Sequence, residues 1–325
     1  MKNVISPLLH NIEMMKGAFI VYGGGLLFFF LLSALHRTFA EKGQKESSSV
    51  WSYAFPASLF KTCTSWVDFW HFLLTFIIWG PLITLVTGLI SGQMLAQTIN
   101  GILGPMPQSI RAPWLIISTQ VFVILMARHF GVFLTHFLSH KVPFLWSFHR
   151  PHHSAESLTF LTSARAHPLD SIFFLGGSLL FAAVGTALVL YVTGTSLQPT
   201  TVSILAGWAF LLQVMNIFEH SHIPFSFGKL SYVIGSPVMH HIHHSAELRH
   251  RDKNFGGIVA IWDWLFGTIY VPKGHEDYRQ GLTEGELGKN NPHVRLLDYY
   301  IEPFKYFWNC IVPRSHARSD RTLAR

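Results

Sequence analysis

Cysteine is nearly absent from this chain of 325 residues, with Cys63 and Cys310 the whole complement. That excludes a disulfide framework and a thiolate metal site, and it fits a reducing compartment. Charge is scarce as well: Asp, Glu, Lys and Arg make up 13% of the residues, against 50% hydrophobic and 14% aromatic. With a mean hydropathy of +0.33, this composition excludes an ordinary soluble domain and reads as an integral membrane protein. Acidic residues are the rarer sign, 17 against 24 basic ones. The net charge of +7 gathers at ends and in loops, so it reports membrane orientation and implies no nucleic-acid partner. The small-residue cleavage pattern of a signal peptide is missing, and the glycine run 23–25 lies inside an apolar stretch, which excludes a phosphate loop.

Five stretches approach the ~20 apolar residues that span a bilayer: 17–35, 69–90, 114–138, 171–192 and 201–218. They divide the chain into an N-terminal membrane region, 1–112, with two spans and a polar linker, a three-span region, 113–272, and a polar tail, 273–325. The tail's basic end (Arg314, Arg318, Arg321, Arg325) is expected at anionic headgroups. The loop after the first span carries Arg37, Lys42, Lys45 and Lys61, whereas 91–113 has only Arg111 and 191–200 has no charge. The positive-inside rule therefore puts the last two loops outside, with the N-terminus, although Lys2 and Lys16 weigh against the latter.

The abundant residue is histidine. Thirteen of twenty fall between His129 and His244, in His136-x3-His140, His149-x2-His152-His153 and His240-x2-His243-His244. Residues at i, i+3 and i+4 share a helix face, so each triplet is expected to aim three imidazoles at one point and the pair two. Imidazole suits iron, copper, zinc or nickel, and eight such nitrogens suit two ions. The third helix, from about Pro113 to Lys141, would be roughly 42 Å long and carry His136 and His140 out of the membrane. His129, about 10 Å deeper by helix rise, is expected to be structural. Glu156, Asp170, Glu219, Glu247 and Asp252 are the few nearby carboxylates, so a dimetal site would be nearly all-histidine, with carboxylates orienting imidazoles at most. Trp262–Gly267 is expected as an interfacial anchor.

From about Gly131 to Thr268 the chain resembles the fatty acid hydroxylase/sterol desaturase superfamily of membrane di-iron enzymes. The likeness runs through the histidine clusters and through Arg165-x-His167-Pro168-Leu169, Phe218-x-His220-Ser221, Lys253-Asn254-Phe255-Gly256 and Trp262-Asp263-x2-Phe266-Gly267-Thr268. It departs at His129, where many relatives have an acidic residue.

The resemblance implies an all-α polytopic membrane helical bundle with a cytoplasmic histidine-rich cap holding a dimetal site. It implies that His136, His140, His149, His152, His153, His240, His243 and His244 are metal ligands, with His167 and His220 as additional ones; His222 and His241 sit beside motif positions. It further implies two Fe ions and O2 as co-substrate, acting on an unactivated C–H bond of a lipid by hydroxylation, or alternatively by desaturation. Without a dinucleotide fingerprint or an iron–sulfur cysteine set, the two electrons must come from an external donor, a b-type cytochrome, ferredoxin or similar reductase system. A bacterial inner membrane or the endoplasmic reticulum fits, with the site on the cytoplasmic face. A metal transporter would need polar ligands along the spans, and a haem carrier would need paired histidines at hydrocarbon depth; neither pattern is there.

Overall fold

The computed structural model describes residues 22–38, 49–88, 90–104, 111–287 and 291–312. These are mostly helical, with no strand and two isolated bridges, Ile234 to Val259 and Ser245 to Gln280. The principal helices are α1 (22–38), α2 (Cys63–Leu74), α3 (Gly80–Thr87), α4 (Gly92–Leu103), α5 (Pro113–Lys141), α6 (Pro143–His153), α7 (Pro168–Thr193), α8 (Pro199–Glu219), α9 (Pro237–His243) and α10 (Leu296–Ile311).

Helices α5 to α9 all open on a proline. Proline costs nothing at the first helical position, where its missing N–H has no partner to lose. Pro143 also forces Val142 into an extended conformation (φ −102, ψ 113), which ends α5 and turns the chain into α6. That single bend carries one histidine cluster back toward the other. At its far end α7 stops on Gly194 in the left-handed region (φ 62), the usual helix terminator.

Among the described residues four segments are long and apolar enough to cross a membrane: Cys63–Leu103, α5, α7 and α8. The first expected span, 17–35, lies partly outside the described residues; its described part is helical in α1, where Phe29 packs against Ile217 and Phe218 of α8. The second runs on beyond residue 90. A π-type turn at Thr75–Trp79 joins α2 to α3, and α4 then packs along α7. A Cβ on Gly92 would lie 2.7 Å from the Ala183 carbonyl. The expected outward loop 91–113 therefore contains a packed helix. Gln93, Gln97 and Asn100 lower its hydropathy, and Ser91 starts it by accepting a hydrogen bond from Met94 N–H.

The α5–α7 pair is the centre of the bundle. A Cβ on Gly177 would stand 2.1 Å from Thr135 Cγ2, and one on Gly131 would stand 2.9 Å from Phe181 Cβ. Small residues let membrane helices approach closely where no hydrophobic drive separates protein from lipid. At the other end Gln120 is fully buried. Its amide donates to the Ser196 carbonyl (2.9 Å) and accepts from Gln198 N–H (3.1 Å) and Thr201 Oγ1 (2.8 Å), pinning the α7–α8 hairpin. No polar group of that side chain is left bare, as burial requires.

The stretch 273–325, expected as a polar tail, contains α10. Tyr299 and Pro303 are buried on one face, while Leu297, Ile301, Phe304, Trp308 and Ile311 stand exposed on the other. The 3.6-residue spacing of that stripe is broken in the sequence by Glu302 and Lys305, which hid it.

Candidate metal centre

Nine histidines meet where α5, α6, α8 and α9 end, and they form two groups. His136, His140, His149, His153 and His243 make the first; His152, His220, His240 and His244 make the second. Within each group the ligand nitrogens all lie within 4.8 Å of one another. The expectation that each triplet aims at one point is corrected here. At about 100° per residue, adjacent histidines on a helix diverge widely. His149 and His153, one turn apart, face the first group while His152 turns to the second. On α9 the assignment reverses: His240 and His244 face the second group and His243 the first.

The imidazoles are oriented from behind. Nδ1 of His136 donates to the Phe255 carbonyl (2.9 Å), that of His152 to Arg165 (2.7 Å), that of His220 to Asn216 (2.8 Å) and that of His243 to Lys253 (2.7 Å). Nδ1 of His149 donates to Asp170 Oδ2 at 3.0 Å. Each bond fixes the tautomer and leaves Nε2 as a lone pair facing inward, the arrangement that orients and strengthens metal-bound imidazoles.

Inside the groups Nε2 atoms confront one another at close range: His240 to His220 at 2.9 Å, His244 to His240 at 3.0 Å, His153 to His149 at 3.2 Å, His220 to His152 at 3.4 Å. For a metal–nitrogen bond of about 2.1 Å, neighbouring ligands stand about 3.0 to 3.4 Å apart. Nε2 of His136, His140 and His243 is buried with no hydrogen-bond partner. Buried orphan acceptors are costly, and a cation is what would satisfy them. The donor set thus fits two borderline-soft ions. Burial holds the imidazoles neutral, as ligation needs: His220 is pushed down to about 4 and His243 to about 3. His152, His153, His240 and His244 are also well below the ordinary value, chiefly through burial and then through one another's charge.

His167 stands apart from both groups. It caps the start of α7, with Nδ1 accepting the Leu169 N–H at 3.2 Å, and its ring packs on Phe148 and Phe304. The following proline fixes it at the helix entry, facing away from the cluster. His129 accepts from Trp208 Nε1 at 2.9 Å, in an apolar groove between α5 and α8. Glu219, His222 and His241 remain outside the groups, as does the Glu247/His250 pair, although Glu219/His222 and Glu247/His250 both have Glu-x-x-His spacing.

Two residues acquire roles that their sequence positions did not state. Asp263, buried, accepts from Phe255 N–H (2.7 Å), Gly256 N–H (2.6 Å) and Thr268 Oγ1 (2.7 Å). It thereby holds the loop whose Lys253 and Phe255 carbonyls orient His243 and His136. Arg165 presents its carbonyl to His152 while its guanidinium binds the Pro151 carbonyl and Ser154 Oγ. In the Trp262–Gly267 segment Trp264, Leu265 and Phe266 are exposed.

Two all-imidazole groups, each able to hold a metal ion, thus lie at the ends of helices long and apolar enough to cross a membrane. Residues 121–268 match the family described as fatty acid hydroxylase. This match and the relatives that follow support the fatty acid hydroxylase superfamily. It is 31% identical to an ornithine lipid hydroxylase of Rhizobium tropici over 52% of this chain and 47% of that one. It is 27% identical to the alkylglycerol monooxygenase of Homo sapiens over 47% of this chain and 31% of that one. To a very-long-chain aldehyde decarbonylase of Oryza sativa subsp. indica it is 29% identical over 56% and 60%. The matches span roughly a third to three fifths of these relatives' lengths. No solved structure matches the chain.

Proposed function

We propose that this protein is a membrane di-iron oxygenase that uses O2 and two electrons from an external donor to hydroxylate an unactivated C–H bond of a lipid. The observation that carries the reading is the pair of histidine groups with their inward Nε2 lone pairs. The names of the relatives, two of them a lipid hydroxylase and a monooxygenase, support hydroxylation over desaturation.

The nine grouped histidines would hold two irons, which when bound supply O2 activation and C–H cleavage. The rest is done by the protein. Backbone carbonyls and Asp170 fix the rings before any ion arrives. Phe255, fully buried, packs its ring 5.0 to 5.6 Å from those of His140, His136 and His243 and keeps water from them. A cavity of about 620 Å³ reaches His140, His153 and His243 of the first group, so that group is the one open to a substrate. None of the described cavities touches the second group.

Lipid profiling of cells carrying the protein under isotopically labelled O2 tests this. A new lipid bearing one labelled oxygen, absent with His244→Ala, is the expected result. A desaturated lipid without label would replace hydroxylation by its alternative, and no lipid change would overturn both.

A further inference from the structure

The 620 Å³ cavity is lined by charged side chains of both signs, and its cations are mostly matched: Lys141 pairs with Asp252, Arg251 with Glu286 at 3.8 Å and Lys305 with Glu302 at 2.7 Å. Arg150 is the exception. Its Nη2 donates only to the Glu286 carbonyl, its Nε is buried without a partner, and its Cζ lies 5.2 Å over the Tyr306 ring. Among the described residues no carboxylate forms an ion pair with it; Glu286 and Glu302, each paired with another cation, act on it only from farther off. A half-buried guanidinium with an unused N–H is an anion site in want of its anion, because Arg presents a fork that matches carboxylate and phosphate oxygens. Arg150 lies on α6 three residues before His153, so the two side chains are neighbours about 5–6 Å apart at Cβ, and both line the cavity.

We infer that Arg150 binds the anionic headgroup, phosphate or carboxylate, of the lipid substrate and so sets where it is oxidised. The inference rests on the oxygenase reading for the word substrate, but the binding it asserts does not depend on turnover. An anion held beside His153 brings the headgroup and the carbons next to it to the first histidine group, and leaves the distal chain outside. α10 forms the wall of the cavity with Tyr306 and Asn309 while its Leu297, Ile301, Phe304, Trp308 and Ile311 stripe is exposed. Such a helix lies in a lipid surface, which puts the cavity at the level of headgroups.

The test is equilibrium binding of radiolabelled dihexanoyl phosphatidic acid to the full-length protein in nanodiscs, with dihexanoylglycerol and inorganic phosphate as competitors. Charge-assisted hydrogen bonds make the expected loss in Arg150→Gln on the order of tenfold to a hundredfold, with Arg150→Lys between. Asn309→Trp, at an exposed position on the cavity wall, should block binding without touching the buried site. His244→Ala, outside the cavity, should keep binding and lose turnover, which separates failure of this inference from failure of the oxygenase reading. Unchanged binding in both Arg150→Gln and Asn309→Trp would overturn it. So would dihexanoylglycerol binding as tightly as the phosphatidic acid, and inorganic phosphate displacing the lipid as well as the lipid itself does would make this a free-anion site.

Discussion

Asp68 and Arg165 form an ion pair with both side chains fully buried. Asp68 sits on α2, outside the segment 121–268 that matches the family, while Arg165 lies inside it. The pair joins the N-terminal region to the metal centre, because the Arg165 carbonyl accepts the His152 Nδ1–H. Thr162 Oγ1 adds a hydrogen bond to Asp68 Oδ2 at 2.8 Å, and Arg165 Nη1 also reaches the Thr64 carbonyl. Desolvating two charges is repaid only when such a network completes them.

Asp68→Asn should accordingly be severe. It leaves a buried guanidinium without its counter-ion, at a cost of about 3–5 kcal/mol. The expected outcome is a large fall in thermal midpoint of the purified protein, together with weakened metal retention. A midpoint unchanged from the parent would mean that the pair contributes nothing.

The crossed division of the triplets makes a prediction about metal content. His153→Ala/His243→Ala removes two ligands from the first group and none from the second, so one of two irons should remain. His152→Ala/His153→Ala takes one ligand from each group, so both ions should be weakened. Elemental analysis of purified, iron-replete protein measures the difference. The opposite pattern would restore the idea that each triplet serves one ion, and fewer than one transition metal per chain in active parent protein would remove the dimetal site altogether. Two zinc ions per chain would still count for the site, since imidazoles accept zinc readily.

Asp170 touches no inward nitrogen, yet it fixes the His149 ring. Asp170→Asn should weaken metal binding about 10–100-fold and leave the helices in place. Chelator competition on folded protein gives the number; an affinity equal to that of the parent would reduce Asp170 to a spectator.

Acid should release metal and loosen the fold together. An unfolded-chain histidine titrates near about 6.5, whereas burial depresses His220 to about 4 and His243 to about 3. With folded values below the unfolded one, their neutral forms favour folding fully above about pH 6.5. As pH falls below that, the unfolded state gains protons first, and each such histidine removes about 1.4 kcal/mol per pH unit until its folded value is reached. Thermal midpoints of metal-free protein should therefore fall steadily from pH 7 to pH 5. A flat profile across that window would contradict neutral, buried imidazoles.

Orientation is tested by thiol labelling in a background lacking Cys63 and Cys310, both exposed. A cysteine at exposed Ser196 should react with a membrane-impermeant reagent in intact cells, and one at exposed Glu247 only after permeabilisation. Reaction of the Glu247 position from outside would overturn the cytoplasmic placement of the histidine groups that the charge bias predicts.

Composition and spacing were enough to establish some of this. Apolar runs mark α5, α7 and α8, and the histidine spacing marks eight of the nine grouped imidazoles; His220, like His167, came from the family resemblance. Helix α4 and the face of α10 were not legible, because Gln, Asn, Glu and Lys dilute a hydropathy window although they occupy only one side of a helix. The division of ligands was not legible either. Spacing says that His149, His152 and His153 lie near one another, but which way each points depends on the bend at Val142–Pro143 and on where α9 and His220 come to rest. The same holds for His167, whose motif matches and whose ring faces away, and for Asp68, Arg165 and Asp263, which act through partners distant in the chain. A sequence fixes which chemical groups exist and their local period; only the packed helices decide which lone pairs meet.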